Sequence, residues 1–220
     1  MDVAALFSGG KDSTYASYMA RKHGYQIKCL ITIVSKNPES FMFHTPAIEL
    51  TKKQAELMGI PILIKETKGE KELELDDLKI AIKEAIKKYK IKGIVTGAIE
   101  SVYQSSRIQN ICNDLKIECF NPLWQKNQLE LLEELLKNNF EIILSGVSAY
   151  PFSKEFVGRK IDKRFVEEMK LLSQKYFINP AAEGGEFETL VLNCPLFKKK
   201  LCIKLTSILG ENYSYRGLFE

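Results

Sequence analysis

The residues best equipped for chemistry stand together at 6–16, in the stretch LFSGGKDSTYA. Gly9 and Gly10 permit positive φ and let a ligand approach the backbone closely. Ser8 and Ser13 bring hydroxyls to the same turn, Lys11 a point charge and Asp12 a carboxylate. An apolar run precedes the turn and a helical pattern follows it. The turn therefore opens a helix, where N–H groups and the helix dipole favour an anion, usually phosphate. Two commoner phosphate loops do not fit. A P-loop needs Ser or Thr after Gly-Lys, where this chain has Asp12, and Ala5 stands where its first glycine belongs. The dinucleotide fingerprint needs spaced glycines, and Gly9 and Gly10 are adjacent. A Ser-Gly-Gly turn with Asp12 as a mere helix cap is the ordinary structural alternative, and position after a first buried strand favours phosphate.

Three further stretches carry reactive or recognising side chains. VTGAIESVYQSSRIQNIC begins at Val95 and includes Gly97. It spaces Tyr103 and Arg107, and likewise Glu100 and Gln104, four residues apart, so that two polar pairs project near the same edge. NPESFMFHTP flanks His44 with aromatics, although a lone histidine is more often a packing residue. NPAAEGGEFET sets Glu183, Glu186 and Glu188 around Gly184 and Gly185 and runs to Thr189. Three carboxylates at such a turn could grip a cation, recognise a cationic substrate, or simply face solvent.

These residues need a frame. Strands are expected at 2–8, 25–35, 61–67, 93–98 and 117–120, alternating with helices at 11–23, 46–59, 78–89 and 101–115. Such alternation predicts an α/β domain with a Rossmann-like, parallel, doubly wound sheet, which binds ligands beyond the carboxyl ends of its strands. The stretches at 6–16 and from Gly97 both fall at such ends. Beyond NPLW at 121–124 the pattern changes to a helix at 127–139, a strand at 140–150, a helix at 161–176, a loop and two closing strands. A boundary is expected near 124, giving domains 1–124 and 125–220, the second a smaller α+β unit.

Composition narrows the class. The chain has 220 residues, 45% of them hydrophobic and 27% charged, as in soluble globular proteins. Its net charge of +4, with the charges interspersed, gives little reason to expect nucleic-acid binding. No apolar run reaches the roughly 18–20 residues of a membrane span. The first strand begins at once, so no signal peptide is expected and a cytoplasmic location is. Five scattered cysteines without a C-x-x-C pair argue against disulfides and structural zinc, and Cys112 and Cys119 read as buried apolar residues.

SGGKDS matches the SGGxDS loop of the PP-loop ATP pyrophosphatases. With NPESFMFH, TGAIESVYQSSR, NPLW, VGRKID and NPAAEGGEFETLVLNCPLF, in order to about residue 200, the chain resembles the diphthine–ammonia ligase family in its short, archaeal form. That resemblance implies a PP-loop ATP-binding domain followed by a family-specific substrate domain. It implies that Ser8, Gly9, Gly10, Lys11, Asp12, Ser13 and Gly97 serve ATP, with Asp12 helping to hold Mg²⁺. It implies catalytic roles for Lys11, Asp12 and Glu186. Substrate contacts would come from His44, Glu100, Tyr103, Gln104, Arg107, Glu183, Gly184, Gly185, Glu186, Glu188 and Thr189. The implied reaction adenylates the diphthine carboxylate of elongation factor 2 and replaces AMP by ammonia. No glutaminase nucleophile is evident, so ammonium is the expected nitrogen source. Neither membrane nor nucleic acid is an expected partner, and a homodimer is among the oligomeric states left open. The rival readings are a thiolation-type tRNA-modifying PP-loop enzyme, which would carry cysteine pairs and basic extensions, and a non-catalytic module holding ATP or AMP.

Overall fold

The computed structural model describes residues 1–35, 48–68 and 73–220. His44 and the whole 37–46 stretch lie outside the described residues. The chain divides into two compact units, Met1–Trp124 and Gln125–Glu220. No helix among the described residues is long and apolar enough to cross a membrane.

The first unit follows the order β1 (Asp2–Leu6), α1 (Lys11–Lys22), β2 (Gln26–Ser35), α2 (Ile48–Met58), β3 (Ile62–Thr67), α3 (Leu73–Tyr89), β4 (Gly93–Val95), α4 (Val102–Leu115) and β5 (Glu118–Phe120). The five strands form one parallel sheet in the order β3-β2-β1-β4-β5. This is the expected Rossmann-like α/β arrangement. Val3, Ala4 and Ala5 of β1 and Leu30 to Ile33 of β2 are buried, because helices cover a parallel sheet on both faces. One core cluster joins Ala4, Ile31 and Ile94 of the sheet to Leu78, Ile82 and Ala85 of α3 and to Ile108 and Cys112 of α4. Chain order reverses between β1 and β4. The loops after those two strands therefore flank the switch point, where doubly wound sheets bind ligands.

The second unit contains α5 (Gln128–Lys137), β6 (Glu141–Val147), α6 (Lys163–Tyr176), β7 (Phe187–Asn193), β8 (Leu205–Glu211) and β9 (Ser214–Phe219). Its sheet is antiparallel, in the order β7-β6-β9-β8. Helix α6 starts later than the hydrophobic stripe suggests. Asp162 caps it by accepting from the Phe165 amide at 2.8 Å, which leaves buried Ile161 outside.

The expectation of two closing strands needs correction, since three are present. Residues 201–204 are not strand, and β8 and β9 form a hairpin turning at Asn212 and Tyr213. Both turn residues have positive φ, 49° and 64°, as a type I′ turn requires. Tyr213 stands where glycine usually advertises such a turn.

Cysteines 29, 112 and 194 are buried, Cys202 is exposed, and all five are free. Burial pushes the Cys29 thiol up to about 12 and the Cys194 thiol up to about 11. The thiolate is the nucleophile, so at neutral pH a maleimide is expected to label Cys202 in the native protein and to spare Cys29, Cys112 and Cys194 until denaturant is added. Peptide mapping by mass spectrometry checks this.

Candidate functional site

The loop after β1 begins with a buried Phe7 whose carbonyl accepts from Thr32 Oγ1 at 2.6 Å. Gly9 has φ +81°. The Ser8 and Ser13 hydroxyls meet at 3.1 Å, and Ser13 Oγ also accepts from the Ser8 amide at 3.2 Å. Gly10 is the N-cap of α1 and offers no side chain to cap it. The helix end is instead held from inside, by Thr14 Oγ1 donating to the Gly10 carbonyl at 2.7 Å and Ser17 Oγ donating to the Ser13 carbonyl at 2.8 Å. The Gly10 amide donates to Ser8 Oγ at 3.4 Å, and with no side-chain cap on α1 the turn is an uncapped helix start of the kind that favours an anion.

Within that turn Lys11 is only 2% exposed, and its ammonium lies 2.8 Å from Asp12 Oδ2. The other carboxylate oxygen, Asp12 Oδ1, is buried and has no hydrogen-bond partner among the described residues. A buried carboxylate oxygen left without a donor is costly unless something absent from the chain satisfies it. A hard cation such as Mg²⁺, which takes one or two carboxylates together with phosphate oxygens and waters, fits that vacant lone pair.

Gly97 comes up against the same turn from β4. A Cβ built on it would lie 2.8 Å from the Asp12 carbonyl carbon and oxygen and 2.9 Å from the Ser13 amide. Its place is close packing beneath the helix start. Four residues on, Ser101 caps α4 by accepting from the Gln104 amide at 3.3 Å. Glu100 precedes that cap and is exposed, so helical spacing does not relate it to Gln104. Tyr103 and Arg107 do stack as their spacing predicts, with the guanidinium 3.5 Å from the ring centroid.

In the second unit Glu186 is 7% exposed and turned inward. Its Oε1 accepts from the Asn179 amide at 2.7 Å and from Asn179 Nδ2 at 2.8 Å, and its Oε2 accepts from the Gly184 amide at 2.9 Å. Glu186 therefore folds the 179–186 turn around its own carboxylate. Gly184 leaves room for this, since a Cβ there would meet Asn179 Nδ2 at 2.7 Å, and Gly185 has φ +82°. Glu183, Glu188 and Thr189 are half-buried. Glu188 lies opposite Gly146, with its Oε2 3.7 Å from where a Cβ of Gly146 would be.

Several residues that shape these sites escape a reading by motif. Gln54 of α2 is fully buried and donates to the Gly9 carbonyl at 3.0 Å across 45 residues of chain. Gln128 reaches Asn179 at 3.2 Å and the Ala181 amide at 3.0 Å, bracing the acidic turn. Asn121, just past β5, has both amide atoms buried with no hydrogen-bond partner among the described residues. A polar residue on the buried face of α2 was the available signal for Gln54. A pocket of about 510 Å³ bounded by Arg21, Tyr25, Lys28 and Ile60 opens at the amino end of β2, away from the loop after β1.

A family model described as the diphthamide synthase N-terminal domain matches residues 1–119, and one described as the C-terminal domain matches residues 127–218. The diphthine–ammonia ligase of Bos taurus is 33% identical over 232 residues, which is 96% of this chain and 86% of the relative. That of Mus musculus is 34% identical over 224 residues, covering 92% and 83% respectively. A solved Methanocaldococcus jannaschii chain, described as a predicted subunit of tRNA methyltransferase, is 22% identical with a TM-score of 0.46, covering 91% of this chain and 99% of its own. Matched by both domain models and by full-length relatives at this identity, the chain belongs to the diphthine–ammonia ligase family.

Proposed function

We propose that this chain converts diphthine on elongation factor 2 to diphthamide, using ATP and ammonium and releasing AMP and pyrophosphate. The observation that carries the reading is the turn after β1, a bare helix start with one orphaned, buried carboxylate oxygen. In the first step a diphthine carboxylate oxygen attacks the α-phosphorus of ATP, and the bond to the bridging oxygen of pyrophosphate breaks. Ammonia then attacks the acyl carbon of the adenylate, AMP leaves, and the nitrogen sheds a proton to water. Ser8, Gly9, Gly10 and Ser13 receive the β- and γ-phosphates, Lys11 adds positive charge, and Gly97 keeps the cradle closely packed. Asp12 would hold Mg²⁺, which would supply positive charge against the departing pyrophosphate. The first unit is read as the nucleotide domain and the second as the substrate domain, with Glu183 and Glu188 presenting negative charge to cationic substrates and Glu186 maintaining the turn. The setting is cytosolic.

Mass spectrometry of diphthine-bearing elongation factor 2 after incubation with ATP and ammonium, alongside pyrophosphate release, tests the reading. Conversion of the carboxylate to the amide is expected. Pyrophosphate release with tRNA instead would assign the chain to tRNA modification, and release with neither would leave a nucleotide-binding module.

Glu186→Ala orphans three donors, two of them on Asn179, at a cost of about 1–3 kcal/mol for each buried group left unpaired. The expected result is a fall in kcat/KM for the modified factor of at least about tenfold, with ATP affinity nearly unchanged. Equal loss of both would put this glutamate on the nucleotide.

A further inference from the structure

Three tyrosines of the second unit converge from separate elements and have no part in the chemistry above. Tyr150 follows β6 by three residues, Tyr176 ends α6, and Tyr213 lies in the β8–β9 turn. The Tyr150 ring stands at right angles to both others, with centroids 5.2 Å apart and interplanar angles of 87° to Tyr176 and 88° to Tyr213. Tyr150 and Tyr213 are 55% and 47% exposed. Aromatic surface of this size is usually buried, so its clustered exposure calls for an occupant. The ring faces carry negative potential, and one already has a cation beside it, since the Lys175 ammonium lies 5.0 Å from the Tyr176 centroid.

The trio sits at the same end of the sheet as the acidic turn. Val147 pairs with Phe187 on one side and Tyr215 on the other, and the Ser148 amide donates to the Glu186 carbonyl at 2.8 Å. Gly146, one residue earlier, lies opposite Glu188. Perpendicular aromatic walls and the half-buried carboxylate of Glu188 therefore share one strand end, with Arg216 across Gly146 on the other side. A quaternary ammonium group has no N–H to donate, so carboxylates hold it by charge alone. Ring faces supply the rest, through electrostatic attraction and dispersion against its methyl groups. Ammonium, compact and strongly hydrated, gains much less from such walls.

We propose that Tyr150, Tyr176 and Tyr213 form a binding site for a quaternary ammonium group, the trimethylammonium of diphthine; the identity of that substrate rests on the ligase reading above. Tetramethylammonium chloride titrated into the full chain is expected to shift the ring resonances of these tyrosines, whereas tert-butanol, its neutral counterpart, does not. Tyr150→Ala and Tyr213→Ala should weaken tetramethylammonium binding and raise KM for the modified factor by about tenfold, with KM for ATP unchanged. Tyr150→Phe and Tyr213→Phe should retain both within about threefold, because the ring and not the hydroxyl is needed. Melting temperatures run alongside separate this from misfolding. Tert-butanol binding as well as the cation, or amidation with unchanged KM in both alanine variants, would overturn the site and leave the ligase reading standing. Wild-type failure to amidate the factor would sink the ligase reading and the substrate named here, while cation binding that depends on the three rings would still support the site itself.

Discussion

Asp12→Ala is expected to cut AMP formation by two to three orders of magnitude while lowering the melting temperature only slightly. Removing a preorganised charge from where pyrophosphate leaves typically costs about 10²–10³ in rate. The small effect on stability follows from what the side chain does in the fold. Its Oδ2 pairs with the Lys11 ammonium, but the Asp12 side chain is 31% exposed, and water can take over part of that contact. Its Oδ1 contributes no hydrogen bond at all among the described residues, so losing that oxygen relieves a buried unsatisfied group. The two effects oppose each other and leave a net change of about 1–2 kcal/mol at most. Asp12→Asn distinguishes charge from shape. It keeps a carbonyl oxygen in place and should be nearly as inactive as alanine if a cation is what the oxygen serves. Chromatography of AMP in single-turnover conditions reads the rate, and thermal melts read the stability. Undiminished AMP production in either variant would detach the turn after β1 from catalysis.

The first unit was readable because its signals are local. Continuous apolar runs such as LITIV have no use except in a strand buried on both faces, and each is followed by a helix stopped at Gly24, Gly59 or beyond Tyr89. SGGKDS could be placed at a helix start for the same reason, since every group that defines the turn lies within six residues. The closing hairpin of the second unit was harder. Its two-residue turn uses Asn212 and Tyr213 at positive φ, which no Gly marks, and β8 is exposed nearly throughout, so its hydrophobic pattern carries no inside and outside to read.

The acidic turn shows what sequence spacing leaves out. Glu183, Glu186 and Glu188 look alike along the chain, yet tertiary packing turns Glu186 inward onto Asn179 and Gly184 and leaves the other two half-buried. Nothing local distinguishes them, because the deciding partner is a backbone that folds back on itself. Gln54 and Gln128 are hidden for the same reason. Each is an ordinary polar residue of a helix until a distant carbonyl or amide arrives beside it. Glu100 and Gln104 illustrate the converse, a four-residue spacing that crosses the Ser101 cap, so that helical register does not relate the two.

Gly97→Ala is expected to weaken ATP binding by at least about tenfold and to destabilise the first unit by about 1–3 kcal/mol, the usual cost of overpacking. The atoms in the way are backbone, at 2.8 Å and 2.9 Å from the new methyl, and belong to the first turn of α1. A flexible side chain would swing aside, but this turn is tied down by Thr14 and Ser17 from within the helix and by Gln54 behind Gly9. Either the end of β4 retreats or the helix start is pushed outward, and the second choice displaces the amides proposed to receive phosphate. Gly24→Ala is the control. It meets nothing within 4 Å and carries only the strain of φ +81°, so it should lose about 1 kcal/mol of stability and no ATP affinity. Calorimetric titration with a non-hydrolysable ATP analogue separates the two. Wild-type affinity in Gly97→Ala, with the methyl accommodated by β4 alone, would mean that the triphosphate does not rest on the first turn of α1.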